Sequence, residues 1–264
     1  MKKSILIIFT TFILIILSNQ RGFFIPEVAL SGECSSQDYK SGPLRTQLIE
    51  LYTSQGCSSC PPAEKWVNAL YAHAGLYRDF IPMQFHVDYW DYIGWKDPYA
   101  KPQYSKRQRQ YATEWSSGQV YTPAFVKNGK EWRTIIARRP PEKSTEKVGV
   151  LQALKKAKGS YQVRFEPSLQ KFKGPLILHW ALLGHGLATS VTRGENSGKA
   201  LKNNFTVLSH RQKPLTRKQE RFQAEVKIAP TAIKAPEYAL VFWLTTGHSQ
   251  AAIQATGGCI NEVI

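Results

Sequence analysis

The chain has no glycine-rich phosphate loop, no internal repeat and only one Cys-x-x-Cys. Gly184-His185-Gly186 reads as a turn, so nothing marks a nucleotide site. Cysteine is scarce, with four residues, Cys34, Cys57, Cys60 and Cys259. Cys34 and Cys259 lack the paired spacing of a zinc centre, which argues against a four-cysteine zinc site. No Ser-His-Asp context stands out, and His179 and His185 fall in or after a strand-like run, where a structural role is expected. No cofactor is expected. Acidic residues are also few: 19 Asp and Glu against 35 Lys and Arg leave a formal net charge of +16.

What is present is an ordinary globular composition, 42% hydrophobic and 20% charged, which excludes a disordered chain. Met1-Lys2-Lys3 is a short basic start. Ser4–Ser18 is a nearly continuous apolar run that Asn19-Gln20-Arg21 ends. As a helix it spans about 22 Å, short of the roughly 30 Å hydrocarbon core. Residues 1–31 therefore read as a signal peptide, with small residues at Ala29-Leu30-Ser31, and the protein as periplasmic or secreted. Cleavage after Ser31 leaves about +14. The basic residues are scattered, so nucleic acid is not an expected partner. A weak association with anionic membrane or cell-wall polymers is the alternative to simple solubility.

Residues 32–45 are polar and read as a flexible arm. Gln47–Tyr52 is a short strand, broken by Ser54-Gln55-Gly56. Beyond Cys57-Ser58-Ser59-Cys60-Pro61-Pro62 the spacing of Trp66, Leu70 and Ala74 predicts a helix. Proline is tolerated in a first helical turn. Ile81–Val87 predicts a buried strand, Asp88–Pro98 an aromatic, acidic loop, and Ser105–Trp115 a helix with Tyr104, Gln108, Tyr111 and Trp115 on one face. Lys106, Arg107 and Arg109 go to its other faces. Tyr121-Thr122-Pro123 precedes a strand through Val126, Asn128-Gly129 is a hairpin turn, and Trp132–Ile136 returns. Ser144–Lys158 predicts a closing helix. After Lys158 six β-like runs, from Tyr161–Phe165 to Ala251–Thr256, suggest a small sandwich or an extension of the first sheet. The expected fold is an α/β thioredoxin-like domain (46–158) followed by a β-rich C-terminal domain (159–264).

Chemistry centres on Cys57 and Cys60. A strand, a tight glycine turn, Cys-x-x-Cys and a helix form a redox context: the helix N-terminus, with unpaired amides and partial positive charge, stabilises a thiolate. Cys57, at the exposed end, would attack a partner disulfide and Cys60 would resolve the intermediate. Thr122-Pro123 is the second element, because thioredoxin-like proteins pack a cis X-Pro against the motif. His86 and Asp88, two apart at a strand end, share a face and are candidates for moving a proton. The alternative is that Asp88 anchors the aromatic loop and His86 is a satisfied polar group. Trp90, Tyr92 and Trp95 read as a peptide-binding wall or as core.

The blocks Leu51-Tyr52-Thr53-Ser54-Gln55-Gly56-Cys57-Ser58-Ser59-Cys60-Pro61-Pro62-Ala63 and Phe85-His86-Val87-Asp88-Tyr89-Trp90-Asp91-Tyr92-Ile93-Gly94-Trp95-Lys96-Asp97-Pro98 resemble the DUF1223 family of exported bacterial proteins. Arg193-Gly194-Glu195-Asn196 is similar to that family too. The resemblance implies a thioredoxin-like fold and the location of the site, and no substrate.

The leading expectation is an enzyme of thiol–disulfide exchange acting on the thiols and disulfides of other exported proteins. The alternatives are copper binding or delivery through Cys57, Cys60 and His86, since soft thiolates suit Cu(I), and a module whose Cys-x-x-Cys bridge is a staple. Cys34 and Cys259, near the two ends of the mature chain and without a helix-start context, are expected to form a structural disulfide. The alternative is that Cys34 is free or pairs between chains.

Overall fold

A computed structural model describes residues 38–133, 139–168, 172 and 174–261. The strands are β1 (Tyr39–Lys40), β2 (Gln47–Thr53), β3 (Phe80–His86), β4 (Ala124–Lys127), β5 (Lys130–Glu131), β6 (Gly149–Ala157), β7 (Ser160–Pro167), β8 (Leu176–His185), β9 (Leu187–Ser190), β10 (Ala200–Asn203), β11 (Thr206–Pro214), β12 (Thr216–Lys218), β13 (Arg221–Lys227), β14 (Glu237–Thr246) and β15 (Gln254–Ile260). Helix α1 (Pro61–Ala69) follows β2, and helix α2 (Pro102–Glu114) lies between β3 and β4.

Eight strands form one mixed sheet in the order β15-β14-β8-β11-β3-β2-β4-β5, and five form a second, β1-β6-β7-β13-β12. The large sheet is apolar on both faces, and alternation along β14 shows how. Ala239, Val241 and Trp243 join Val67 and Leu70, at the C-terminal end of α1, and Tyr104 and Tyr111 of α2 in one core. Leu240, Phe242 and Leu244 join Leu151, Val163 and Phe165 of the second sheet in the other. Helices, large sheet and small sheet are thus stacked as three layers. Burial on both faces accounts for the uninterrupted apolar run at Ala239–Leu244, and full burial of one such large side chain contributes about 1.5–3 kcal/mol.

β2 and β3 run parallel, in register from Gln47↔Phe80 to Thr53↔His86, and β4 pairs antiparallel with β2. The Asn128-Gly129 turn closes the β4–β5 hairpin with both residues at positive φ, 49° and 84°. A methyl at Gly129 would sit 2.4 Å from Ala251 Cα, so glycine is required there.

Three expectations need correction. Ser144–Lys158 does not form a helix; β6 occupies its second half. Its burial alternates with period two, Leu151 and Ala153 inward, and β7 supplies the non-local partner that helical spacing cannot register. The boundary at 158/159 does not separate two cores, because β8, β11, β14 and β15 extend the sheet begun by β2, β3 and β4, and the described residues form one compact unit. The expected arm is ordered over 38–45: β1 pairs with β6, and Leu44 bridges Lys147. Residues 1–37, and with them the predicted signal peptide and Cys34, lie outside the described residues, as do 134–138 of the Trp132–Ile136 return.

Candidate functional site

β2 ends at Thr53, and the chain turns so that the Cys57 amide donates to the Ser54 carbonyl at 3.1 Å. Gly56 lets Trp90 pack close to this turn, since a methyl there would lie 3.0 Å from Trp90 Cβ. Cys57 and Cys60 are joined in a disulfide, with Cα atoms 5.4 Å apart. Both cysteines are 0% exposed, although Ser58 and Ser59 between them face solvent. The exposed Cys57 expected from the motif is therefore not found. The expected set of unpaired helix amides is thin as well. Pro61 and Pro62 carry no N–H, and the Ala63 and Glu64 amides donate to the Cys60 carbonyl at 2.9 and 3.1 Å. The Ser59 hydroxyl lies 3.3 Å from Cys57 Sγ.

The Thr122–Pro123 peptide bond is cis. Trp90 links it to the cysteine turn: its ring N–H donates to Thr122 Oγ1 at 2.8 Å while its Cβ approaches Gly56. Trp95 donates to Gln55 Oε1 at 3.1 Å. Two of the three loop aromatics thus build the site wall, and Tyr92, 82% exposed, stands outside it.

His86 and Asp88 part company. β3 stops at His86, so alternation does not carry to Asp88, whose carboxylate accepts the Ser105 hydroxyl and anchors the loop to α2. The partner of His86 is Asp97: Nδ1 meets Oδ2 at 2.7 Å with both side chains 0% exposed. Asp97 also accepts the Gln55 amide at 2.8 Å, two residues before Cys57, and the Tyr99 amide at 2.9 Å. Burial by itself disfavours a charged ring, but the Asp97 carboxylate outweighs it and holds His86 above its usual value. Burial likewise opposes ionisation of Asp97, and the His86 charge and the donated hydrogen bonds hold it below the usual range. His86 Nε2 is buried and has no hydrogen-bond partner among the described residues.

Glu64, four residues beyond Cys60 on α1, is a second buried carboxyl. It accepts the Thr53 hydroxyl at 2.7 Å, and Thr53 is the register partner of His86. Burial raises the Glu64 carboxyl above its ordinary value, with the nearby His86 and the Thr53 hydroxyl opposing. A carboxyl, an imidazole and a second carboxyl thus lie buried behind the cysteine turn.

The far half of the chain closes the site. The β9–β10 loop brings Glu195 and Asn196 onto the motif. Asn196 Nδ2 donates to the carbonyls of Gln55 and Cys57 at 2.8 and 2.9 Å, and Glu195 Oε2 accepts the Ser58 amide at 3.0 Å. Lys199 Nζ donates to Asn196 Oδ1 at 2.8 Å and fixes the amide's orientation.

The family model described as "Protein of unknown function (DUF1223)" matches residues 48–245. The chain belongs to the DUF1223 family. Two solved structures share its fold. One is the crystal structure of protein AGR_C_4864 from Agrobacterium tumefaciens, 20% identical, with a TM-score of 0.58 over 84% of this chain and 98% of the other. The second is HBP35 of Porphyromonas gingivalis, 11% identical, with a TM-score of 0.58 over 84% of this chain and 77% of that one. No curated protein sequence matches.

In this DUF1223 protein His86 is linked through Asp97 and Gln55, and Thr122 through Trp90, to the turn that carries Cys57 and Cys60. Sequence reading assigns no role to Asp97 or Glu64, and names Glu195 and Asn196 only as family likeness. Arg107 is placed by sequence spacing only on a face of α2 other than that of Tyr104, Gln108, Tyr111 and Trp115. It is buried on α2, where Nε and Nη2 donate to the two Glu50 carboxylate oxygens at 2.8 and 2.9 Å. Among the described residues no group of three or more His, Cys, Asp or Glu side chains is arranged to hold a metal, and Cys57 and Cys60 are joined to each other. Cys259 lies in β15 and is not a free thiol; its expected partner Cys34 is outside the described residues.

Proposed function

We propose that this DUF1223 protein is an exported thiol–disulfide oxidoreductase that exchanges its Cys57–Cys60 disulfide with the thiols of other exported proteins. The observation that carries the reading is the disulfide at the start of α1, with titratable groups buried directly behind it. A thioredoxin-like reading of the β2-to-β5 region is part of the proposal. It is supported by the parallel β2–α1–β3 crossover, by antiparallel β4 and by the cis Thr122–Pro123 bond that precedes it.

A partner thiolate attacks Cys57 Sγ, the Cys57–Cys60 bond breaks, and Cys60 leaves with the electron pair. A second partner thiol then attacks the mixed disulfide and releases Cys57. Two partner thiols become one disulfide, and Cys57 and Cys60 become thiols holding the two electrons and two protons. The same steps run in reverse. The Cys60 thiolate requires a proton as it forms, and Glu64, one helical turn away, is the candidate donor, since burial favours its protonated form. His86, held charged by Asp97, stabilises the anion left on Glu64. Export is part of the reading and is supported by the basic-then-apolar start of the sequence.

The test is a Cys60→Ser variant produced in cells. It should accumulate mixed disulfides through Cys57, which reductant releases and Cys57→Ser abolishes. Absence of trapped partners, together with unchanged physiology of Cys57→Ser cells, rejects the function.

A further inference from the structure

Glu195 and Asn196, about 140 positions away in sequence, hydrogen-bond the backbone that carries the buried Cys57. An attacking sulfur must reach Cys57 Sγ in line with the bond it breaks, yet Cys57 is 0% exposed. The β9–β10 loop is folded on itself, with the Val191 amide donating to the Lys199 carbonyl at 2.9 Å and the Gly198 amide to the Val191 carbonyl at 2.8 Å. Gly194 and Gly198 stand at φ 73° and 82°, where glycine is favoured. Most of the loop is exposed, while Asn196 is 0% exposed. Asn196 and Glu195 grip the peptide group between Cys57 and Ser58 from both sides, one on its carbonyl and one on its N–H.

On the reading of this site as an exchange centre, we propose that Glu195 and Asn196 determine which partners reach Cys57, by holding the 191–199 loop across it until an extended polypeptide replaces them. The chemistry of the contacts names the partner class. The groups released by Asn196 are backbone carbonyls of Gln55 and Cys57, and the group released by Glu195 is the backbone N–H of Ser58. An unfolded chain offers amide donors for the first and carbonyl acceptors for the second. A small thiol has too few such groups to replace the three hydrogen bonds, and meets a closed site.

The test compares two reductants on the oxidised protein: dithiothreitol, and a reduced, unfolded polypeptide with two cysteines. In each case two reductant thiols close to a disulfide, and Cys57–Cys60 takes up the two electrons and two protons. The wild type should react at least tenfold faster with the polypeptide at equal thiolate concentration. Asn196→Asp sets a carboxylate against two carbonyls, and Glu195→Ala removes the acceptor. Each should raise the dithiothreitol rate about tenfold, the loss of a well-made buried hydrogen bond, and narrow the preference for the polypeptide. Two separate substitutions guard against one of them failing to fold, which far-UV circular dichroism would reveal. Finite rates that are unchanged in both variants, or an unchanged preference, overturn this role while leaving exchange standing. A folded protein whose bridge neither reductant opens, in wild type or variants, overturns both.

Discussion

Replacing Asp97 with Asn is the most informative single change at the site. The carboxylate serves three donors, His86 Nδ1 and the amides of Gln55 and Tyr99, with no solvent to substitute for any of them. Asn keeps one acceptor oxygen and sets an NH2 group against a donor. Breaking a buried ion pair by removing one partner costs about 3–5 kcal/mol. At roughly 2–4 °C per kcal/mol for a chain of this size, the melting temperature should fall by about 6–20 °C. The pH dependence carries the mechanism. The Asp97 contribution, from a depressed acid, is present above its unfolded value near about 3.9 and is lost as pH falls through the folded value. The His86 contribution, from a raised base, is complete below about 6.5 and is lost as pH rises through the folded value. The stability gap between wild type and Asp97→Asn should therefore be widest between about pH 4 and 6.5 and narrow on both sides. Urea unfolding at a series of pH values measures it. A gap under about 1 kcal/mol, or one that stays flat from acid to alkaline pH, refutes the buried pair.

Arg107→Met strands the Glu50 carboxylate in the core and should cost about 3–5 kcal/mol in urea unfolding; a loss typical of a surface residue would contradict its burial. Gly129→Ala should cost about 2 kcal/mol or more, from the positive φ and the approach of Ala251, and a neutral result would place the hairpin turn elsewhere. Non-reducing peptide mapping of the oxidised protein should recover Cys34 joined to Cys259, and Cys34 found free or joined to Cys57 would exclude that pairing.

Local signals were legible and distant ones were not. Cys57–Cys60, the helix after it, the β3 strand and the Asn128-Gly129 turn each announce themselves within a few residues, through spacing or turn chemistry. His86 was legible as a candidate, but Asp97 was not its expected partner. Ten residues of loop, with one 3-10 turn at Asp91–Ile93, separate the two, and no periodicity predicts where such a loop returns. Arg107 groups with Lys106 and Arg109 on the other faces of α2, and nothing local sets it apart; its burial depends on Glu50, 57 residues earlier on another element. Val148, Leu151 and Leu154 fit helical spacing, and only the pairing of β6 with β7 selects the strand. Glu195 and Asn196 had no chemical signal in sequence beyond family likeness, because their partners are backbone groups on the opposite half of the chain.

The central claim rests on whether the Cys57–Cys60 bond is exchangeable, and its reduction potential decides that. Equilibration of the folded protein with glutathione or dithiothreitol buffers, followed by alkylation, should give a reversible two-electron transition between about −120 and −270 mV, the span of proteins that exchange disulfides. A potential below about −300 mV, or a bridge that opens only on unfolding, would mark a structural staple and contradict the account.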